Sequence, residues 1–187
     1  MSLATTAVSL AEFLKQPETT PASEYINGRV WQKPMPKTRL SLLKSKLVQA
    51  INGVIEGNRL GYAFPELRCS FGDRSIVLDV VVLRWDNIAF NEFGEPLDDV
   101  QVPPDWVIEI LSPDQSANRV TGNILYALEN GCELGWLIDP DDRSVLVLRS
   151  QQSPVLFYGE TALPLLSDLP GIELTAEQIF GWLRMQP

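Results

Sequence analysis

The sequence predicts an α/β fold in which one mixed β-sheet carries helices on its faces. Three observations predict it. Apolar residues recur at helical spacing from Thr38 to about Glu56, and a second helical segment spans about Ser116–Asn130. Runs rich in Val, Ile, Leu and Trp read as strands at about Gly61–Phe71, Ile76–Trp85, Trp106–Leu111 and Gly135–Asp139. The resulting order, helix, three strands, helix, strand, puts both element types around a common core (αβββαβ). At 187 residues the chain is long enough for one full-sized core, so 1–187 reads as a single domain, with about 1–36 as a short helix and hairpin extension.

The elements follow in order. Ser9-Leu-Ala-Glu12 fits a capping box, so a short helix opens the fold and Pro17 ends it. Asn27-Gly28 between Tyr25-Ile26 and Arg29-Val-Trp31 is the strongest short hairpin signal. Pro34 and Pro36 break the chain before the first long helix, whose apolar face is Leu40, Leu43, Leu47, Ile51 and Val54. Lys44 and Lys46 are expected on a basic outer edge of that helix. Gly72-Asp73 turns the first strand into the second. Ser112-Pro113-Asp114 turns the third strand into the second helix, which Gly131 closes. Pro140-Asp-Asp142 leads into a strand at Ser144–Arg149, extended as a hairpin by Val155–Tyr158. Thr175-Ala-Glu-Gln178 is a second capping box, starting a final helix through Met185.

Composition excludes whole classes of chemistry. The chain has no histidine, so Ser-His-Asp and Cys-His catalysis and histidine-held metals are ruled out. The two cysteines, Cys69 and Cys132, lack metal-ligand spacing and read as reduced and partly buried. No apolar run reaches membrane-spanning length and no basic-then-apolar leader is present, which points to the cytoplasm. A net charge of −9 argues against a generic nucleic-acid binder. The charge is uneven, however. Arg29, Lys33, Lys37, Arg39, Lys44 and Lys46 fall in a stretch without acids, while Asp86, Glu92, Glu95, Asp98 and Asp99 cluster without a basic residue. One basic face on an acidic protein is therefore open.

Two acids sit where acids do not belong. Glu109 interrupts the apolar strand Trp106-Val-Ile-Glu-Ile-Leu111, and Asp79 interrupts Ile76-Val-Leu-Asp-Val-Val-Val-Leu83. Burying an unpaired charge costs several kcal/mol or forces protonation. If the two strands pair, a shared divalent cation explains both charges. Pairing with an arginine, or capping a turn, explains each one separately.

The segments "FPELRCSFGDRSIVLDVVVLRW", "PPDWVIEILSPDQS" and "NGCELGWLIDPDDRSVLV" resemble a bacterial family of restriction endonuclease-like proteins within the PD-(D/E)XK nuclease superfamily. The likeness runs from about Tyr25 to the C-terminus. It implies the restriction endonuclease-like core, Mg²⁺ or Mn²⁺ as cofactor, and hydrolysis of DNA. It assigns Asp79 and Glu109 as catalytic metal ligands, with the Ile110 carbonyl as a further ligand. The chain departs from the family in its lysine. Leu111 stands two residues after Glu109, and Gly122 stands where relatives carry the ammonium. Relatives also carry a histidine where this chain reads Arg39-Leu40-Ser41. Arg119 is the candidate substitute for the lysine, against a solvent-facing helix residue. It can stabilise phosphate charge but not act as a base. Glu66 is a candidate third ligand, against a ladder residue paired to Arg68 or Arg74. Lys37, Arg39, Lys44 and Lys46 are candidates for phosphate contact. Ser41-Leu-Leu-Lys44 also matches the S-x-x-K of penicillin-binding enzymes, but its companion motifs are missing. A homodimer is expected for cutting both strands. Without the motif lysine, cleavage is expected to be weak and to improve in Gly122→Lys. The alternative is a non-catalytic nuclease-fold module that binds nucleic acid or a protein.

Overall fold

A computed structural model describes residues 8–113 and 115–185. The chain ends of the single domain read from the sequence, and Asp114 of the turn before the second helix, lie outside the described residues. The elements run α1 (Leu10–Phe13), β1 (Ser23–Ile26), β2 (Arg29–Gln32), α2 (Thr38–Ile55), β3 (Gly61–Phe71), β4 (Arg74–Arg84), β5 (Trp106–Ile110), α3 (Ala117–Glu129), β6 (Leu134–Asp139), β7 (Ser144–Arg149), β8 (Val155–Phe157) and α4 (Ala176–Gly181). All strands join one mixed sheet in the order β2-β1-β4-β5-β6-β7-β8, with β3 paired to β4. β5 and β6 are parallel because α3 crosses between them, and every other pair is antiparallel.

Local chemistry sets the element ends. Ser9 and Thr175 each cap their helix by accepting from the backbone N–H of Glu12 or Gln178, and each donates its own N–H back to that residue's side chain. Asn27 and Gly28, at φ 51° and 76°, close the β1–β2 hairpin with the left-handed pair a tight hairpin turn requires. The Asp139 carboxylate accepts from the N–H groups of Asp141 and Asp142 and turns β6 into β7. Two boundaries differ from expectation. α1 stops at Phe13, before Pro17, and α4 stops at Gly181 rather than Met185. Past Gly181 the chain turns so that Trp182 and Leu183 pack against the core.

The sheet has a different helix layer on each face. Leu40, Leu43, Leu47, Ile51 and Ile55 of α2 join Ile179 and Phe180 of α4 over Val80, Val82, Ile108, Ile110 and Trp136. On the opposite face Val120, Ile124, Ala127 and Leu128 of α3 cover Val81, Val107 and Leu137. Asn52 clamps α2 to the outer edge of β3 by exchanging two bonds with the backbone of Ala63. Asp105 does more than end a turn. It accepts from the Arg84 guanidinium, the Arg84 N–H and the Asn87 amide, and Arg84 also binds Glu133 and Asp168. Both cysteines are free and fully buried, and burial pushes their thiols up to about 12, so neither is a nucleophile at neutral pH. No described helix is long and apolar enough to cross a membrane.

α3 reaches the sheet closely at Gly135, where an added Cβ would lie 2.1 Å from Ile124 Cγ2 and 3.7 Å from Val107. Ile124 is fully buried and β-branched, so it has little freedom to yield. Gly135→Ala is expected to destabilise the fold by about 1–3 kcal/mol, the usual penalty for overpacking. Urea denaturation checks it, and unchanged stability would mean that α3 shifts without cost.

Candidate active site

Two strands share one edge of β4. β1 meets it at Ser75 through Tyr25, and β5 meets it at Val80, Val81 and Val82 through Ile108, Val107 and Trp106. Between the two contacts the edge has no strand partner, and the sheet forks. Backbone groups exposed there still need bonds. The Val77 N–H donates to Glu24 Oε1 at 3.0 Å, and the Val77 carbonyl accepts from Lys33 Nζ at 2.7 Å. On the other arm the Ile110 N–H donates to Asp79 Oδ2 at 3.0 Å. Side chains thus replace the missing ladder.

The predicted acids meet at this fork. Continuing the β4–β5 register by one step puts Asp79 across from Glu109, and the β3–β4 register puts Glu66 across from Asp79. Asp79 is 4% exposed and Glu109 2%. Lys33 Nζ lies 3.0 Å from Asp79 Oδ1 and 3.7 Å from Glu109 Oε2, and Lys44 Nζ lies 3.7 Å from Asp79 Oδ1. A cleft of about 350 Å³ opens onto Asp79, Lys33 and Lys44. A smaller one of about 210 Å³ reaches Glu109 and Lys33 from the α3 side.

The remaining candidates sort by position. Lys44 is not on an outer edge. It is 6% exposed on the apolar side of α2, where it hydrogen-bonds Glu66, so a phosphate can meet it only inside the cleft. Glu66 therefore pairs with Lys44 and not with Arg68 or Arg74; those two bind Glu18 and Asn27. Its side chain is 54% exposed and its φ is 49°, a strained backbone for a residue within a strand. Arg119 stacks over Trp31 at 4.1 Å and lines the smaller cavity beside Glu109. Ile110 joins the site through its N–H. Lys37 and Lys46 are exposed, and exposed Arg39 binds Asp141 and the Pro140 carbonyl. Gly122 lines neither cavity.

Two side chains at the fork are not singled out from the sequence: Glu24, and Lys33, which reads only as one member of the basic stretch from Arg29 to Lys46. Both come from the β1–β2 hairpin, and nothing in the chain reports the register in which that hairpin docks on β4.

The charges set one another. Burial works against ionising Asp79, yet Lys33, Lys44 and the Ile110 N–H outweigh it and hold the carboxyl below its usual range. Burial, followed by repulsion from Asp79 and Glu24, drives Glu109 well above its usual value despite Lys33. Burial and the neighbouring acids therefore favour the protonated form of Glu109, while the cations favour the ionised form of Asp79. Glu24 is raised, mainly by burial. Lys33 also loses to burial, but Glu109, Asp79 and Glu24 together keep its ammonium charged.

Asp79 and Glu109 suit a hard divalent cation, because Mg²⁺ uses one or two carboxylates and completes its shell with water and phosphate oxygens. Among the described residues no cluster of three or more acidic or cysteine side chains is arranged to hold a metal. Glu66, engaged with Lys44, does not extend the pair.

Comparison with known proteins supports the fold and identifies the family. Residues 10–177 match the protein family described as "Uma2: Putative restriction endonuclease". The crystal structure of a putative nuclease belonging to DUF820 from Anabaena variabilis ATCC 29413 superimposes with a TM-score of 0.92 at 47% identity, covering 94% of this chain and 99% of that one. No curated protein matches the chain.

Opposite shifts at the two acids give opposite pH limbs. Asp79, with its lowered folded pKa, contributes stability above its unfolded pKa that is lost as pH falls through the folded one. Glu109, with its raised folded pKa, contributes stability below its unfolded value that is lost as pH rises through the folded one. Glu109→Gln mimics the protonated carboxyl. In thermal melts across pH without divalent metal, the alkaline decline of the wild type should flatten in this variant. Identical declines in both proteins would place Glu109 outside the coupled group.

Proposed function

The chain belongs to the Uma2 restriction endonuclease family, and on that premise we propose that it hydrolyses DNA phosphodiester bonds at the carboxylate pair in the sheet fork. The observation that supports this most is the meeting of two buried acids from adjacent strands at the sheet fork, Asp79 at the open cleft and Glu109 at the smaller cavity, with Lys33 lining both. Asp79, Glu109 and the Ile110 carbonyl would hold Mg²⁺ or Mn²⁺. Such an ion supplies positive charge that neutralises phosphate oxygens and lowers the pKa of an attacking water.

The chain's own residues do the positioning. The Ile110 N–H keeps Asp79 in place and the two ammonium groups favour its charged form, while burial favours the protonated form of Glu109, which would hold the ion as a carboxylate. Lys44 stands inside the cleft, where a phosphate oxygen can reach it. Lys37, Arg39 and Lys46 offer charge for the flanking backbone, and Arg119 sits beside Glu109 on the far side. In the reaction the oxygen of water bonds to phosphorus as one ester P–O bond breaks. The water's proton passes to solvent, the departing alkoxide takes one up, and the products are a phosphomonoester and an alcohol. Two copies of the chain would be needed to cut both strands, and the cytoplasm is the site of action.

Divalent metal should stabilise the protein by about 2.7 kcal/mol at a hundredfold excess over Kd, and more strongly at higher pH because Glu109 must deprotonate. Asp79→Asn should remove most of that gain and abolish metal-dependent cleavage of a labelled duplex. An equal metal response in wild type and variant would defeat the assignment.

A further inference from the structure

Lys33 answers a question that the chain's lost motif lysine leaves open, and its role rests on the hydrolytic reading above. Its ammonium touches both candidate acids and the Val77 carbonyl, and its side chain lines the main cleft and the smaller cavity. Its backbone is fixed. The Lys33 N–H donates to the Ala22 carbonyl at 2.9 Å, extending the hairpin by one step, and Pro34 and Pro36 restrict the chain that follows. The other ammonium at the fork is already committed, since Lys44 bonds Glu66 and lies farther from Asp79.

The geometry points to Lys33 as a catalytic residue: an ammonium delivered by the β1–β2 hairpin that contacts the scissile phosphate and stabilises the charge of the transition state. A lysine serving only to neutralise two buried acids would need to meet the carboxylates and nothing else. This one also faces the cleft through which an anion must enter. Its ammonium is ion-paired to Asp79 at 3.0 Å and to Glu109 at 3.7 Å, so it acts as a fixed cation rather than as a base. Preorganised charge of this kind acts most strongly where water is excluded.

The test compares wild type, Lys33→Met, Lys33→Arg and Lys33→Ala on a labelled DNA duplex. Single-turnover rates are measured beside Mn²⁺ affinity by electron paramagnetic resonance and melting temperature. Lys33→Met should cut slower by roughly 10²–10³-fold, while Mn²⁺ binds at least as tightly because a competing cation is gone. Methylammonium should restore part of the Lys33→Ala rate, and Lys33→Arg should retain more activity than Lys33→Met. Gly122→Lys should not accelerate the wild type. If Lys33→Met fails to fold, the arginine variant and the amine rescue decide the matter. Wild-type cleavage matched by Lys33→Met would overturn this role and leave the hydrolytic reading intact. So would a parallel loss of rate and Mn²⁺ affinity, which would make Lys33 only a support for the carboxylates. No cleavage by the wild type with either metal would overturn both.

Discussion

Everything at the site follows from two strands needing the same edge of β4. β1 takes the start of that edge and β5 the later part, and the two diverge because neither can occupy the other's place. The gap leaves backbone donors and acceptors in a buried region, where each must find a partner. Glu24, Lys33 and Asp79 provide those bonds. The polar residues are therefore not intruders in an apolar core. They complete a sheet that its own topology interrupts.

Once acids fill the gap, a cation must accompany them. Three carboxylates this close together cannot all ionise unpaired, and burial raises the cost. The structure answers with Lys33 against Asp79 and Glu109 and with Lys44 near Asp79, while burial favours the protonated form of Glu109. The fork holds a mixture of opposite charges, a balance that an added cation can redistribute. Local order of this kind is independent of the net charge of −9. None of the acidic residues of the loop after β4 lines this cleft, so the acidity that argues against indiscriminate DNA binding does not argue against a phosphate there.

The fold was legible because its signals are local. Hydrophobic period gave α2, α3 and the strands within a residue or two, and Asn27-Gly28 and the two capping boxes marked ends through their own backbone chemistry. Asp79 and Glu109 stood out because each contradicts the strand around it. Lys44 was misplaced although the signal was present: it lies four residues after Leu40 and three before Leu47, on the buried stripe. Its positive charge suggested solvent, and the spacing was the better guide. Glu24 gave no such signal, and Lys33 gave only its place in the basic stretch from Arg29 to Lys46. Their role depends on how a hairpin docks against a strand 46 residues away in the case of Lys33, and no local pattern encodes that.

On the proposed reading, the fork also lets a site of this kind carry its ammonium on a different element of the fold. What the chemistry requires is an ammonium at a place, not at a position in the chain. Several elements converge on this place: β2 ends beside it, α2 passes it at Lys44, and the first turns of α3 reach it at Arg119. A cation carried by any of them can arrive at the same carboxylates. With Gly122 the α3 route is absent, and Arg119 is drawn over Trp31. The hairpin route remains, and there Lys33 lies against both acids. The acids have less freedom, because Asp79 lies on the unpartnered stretch of the β4 edge and Glu109 on β5, the strand that bounds that stretch at one end. Asp79 and Glu109 could therefore be found from their strands alone, whereas the cation had to be found in space.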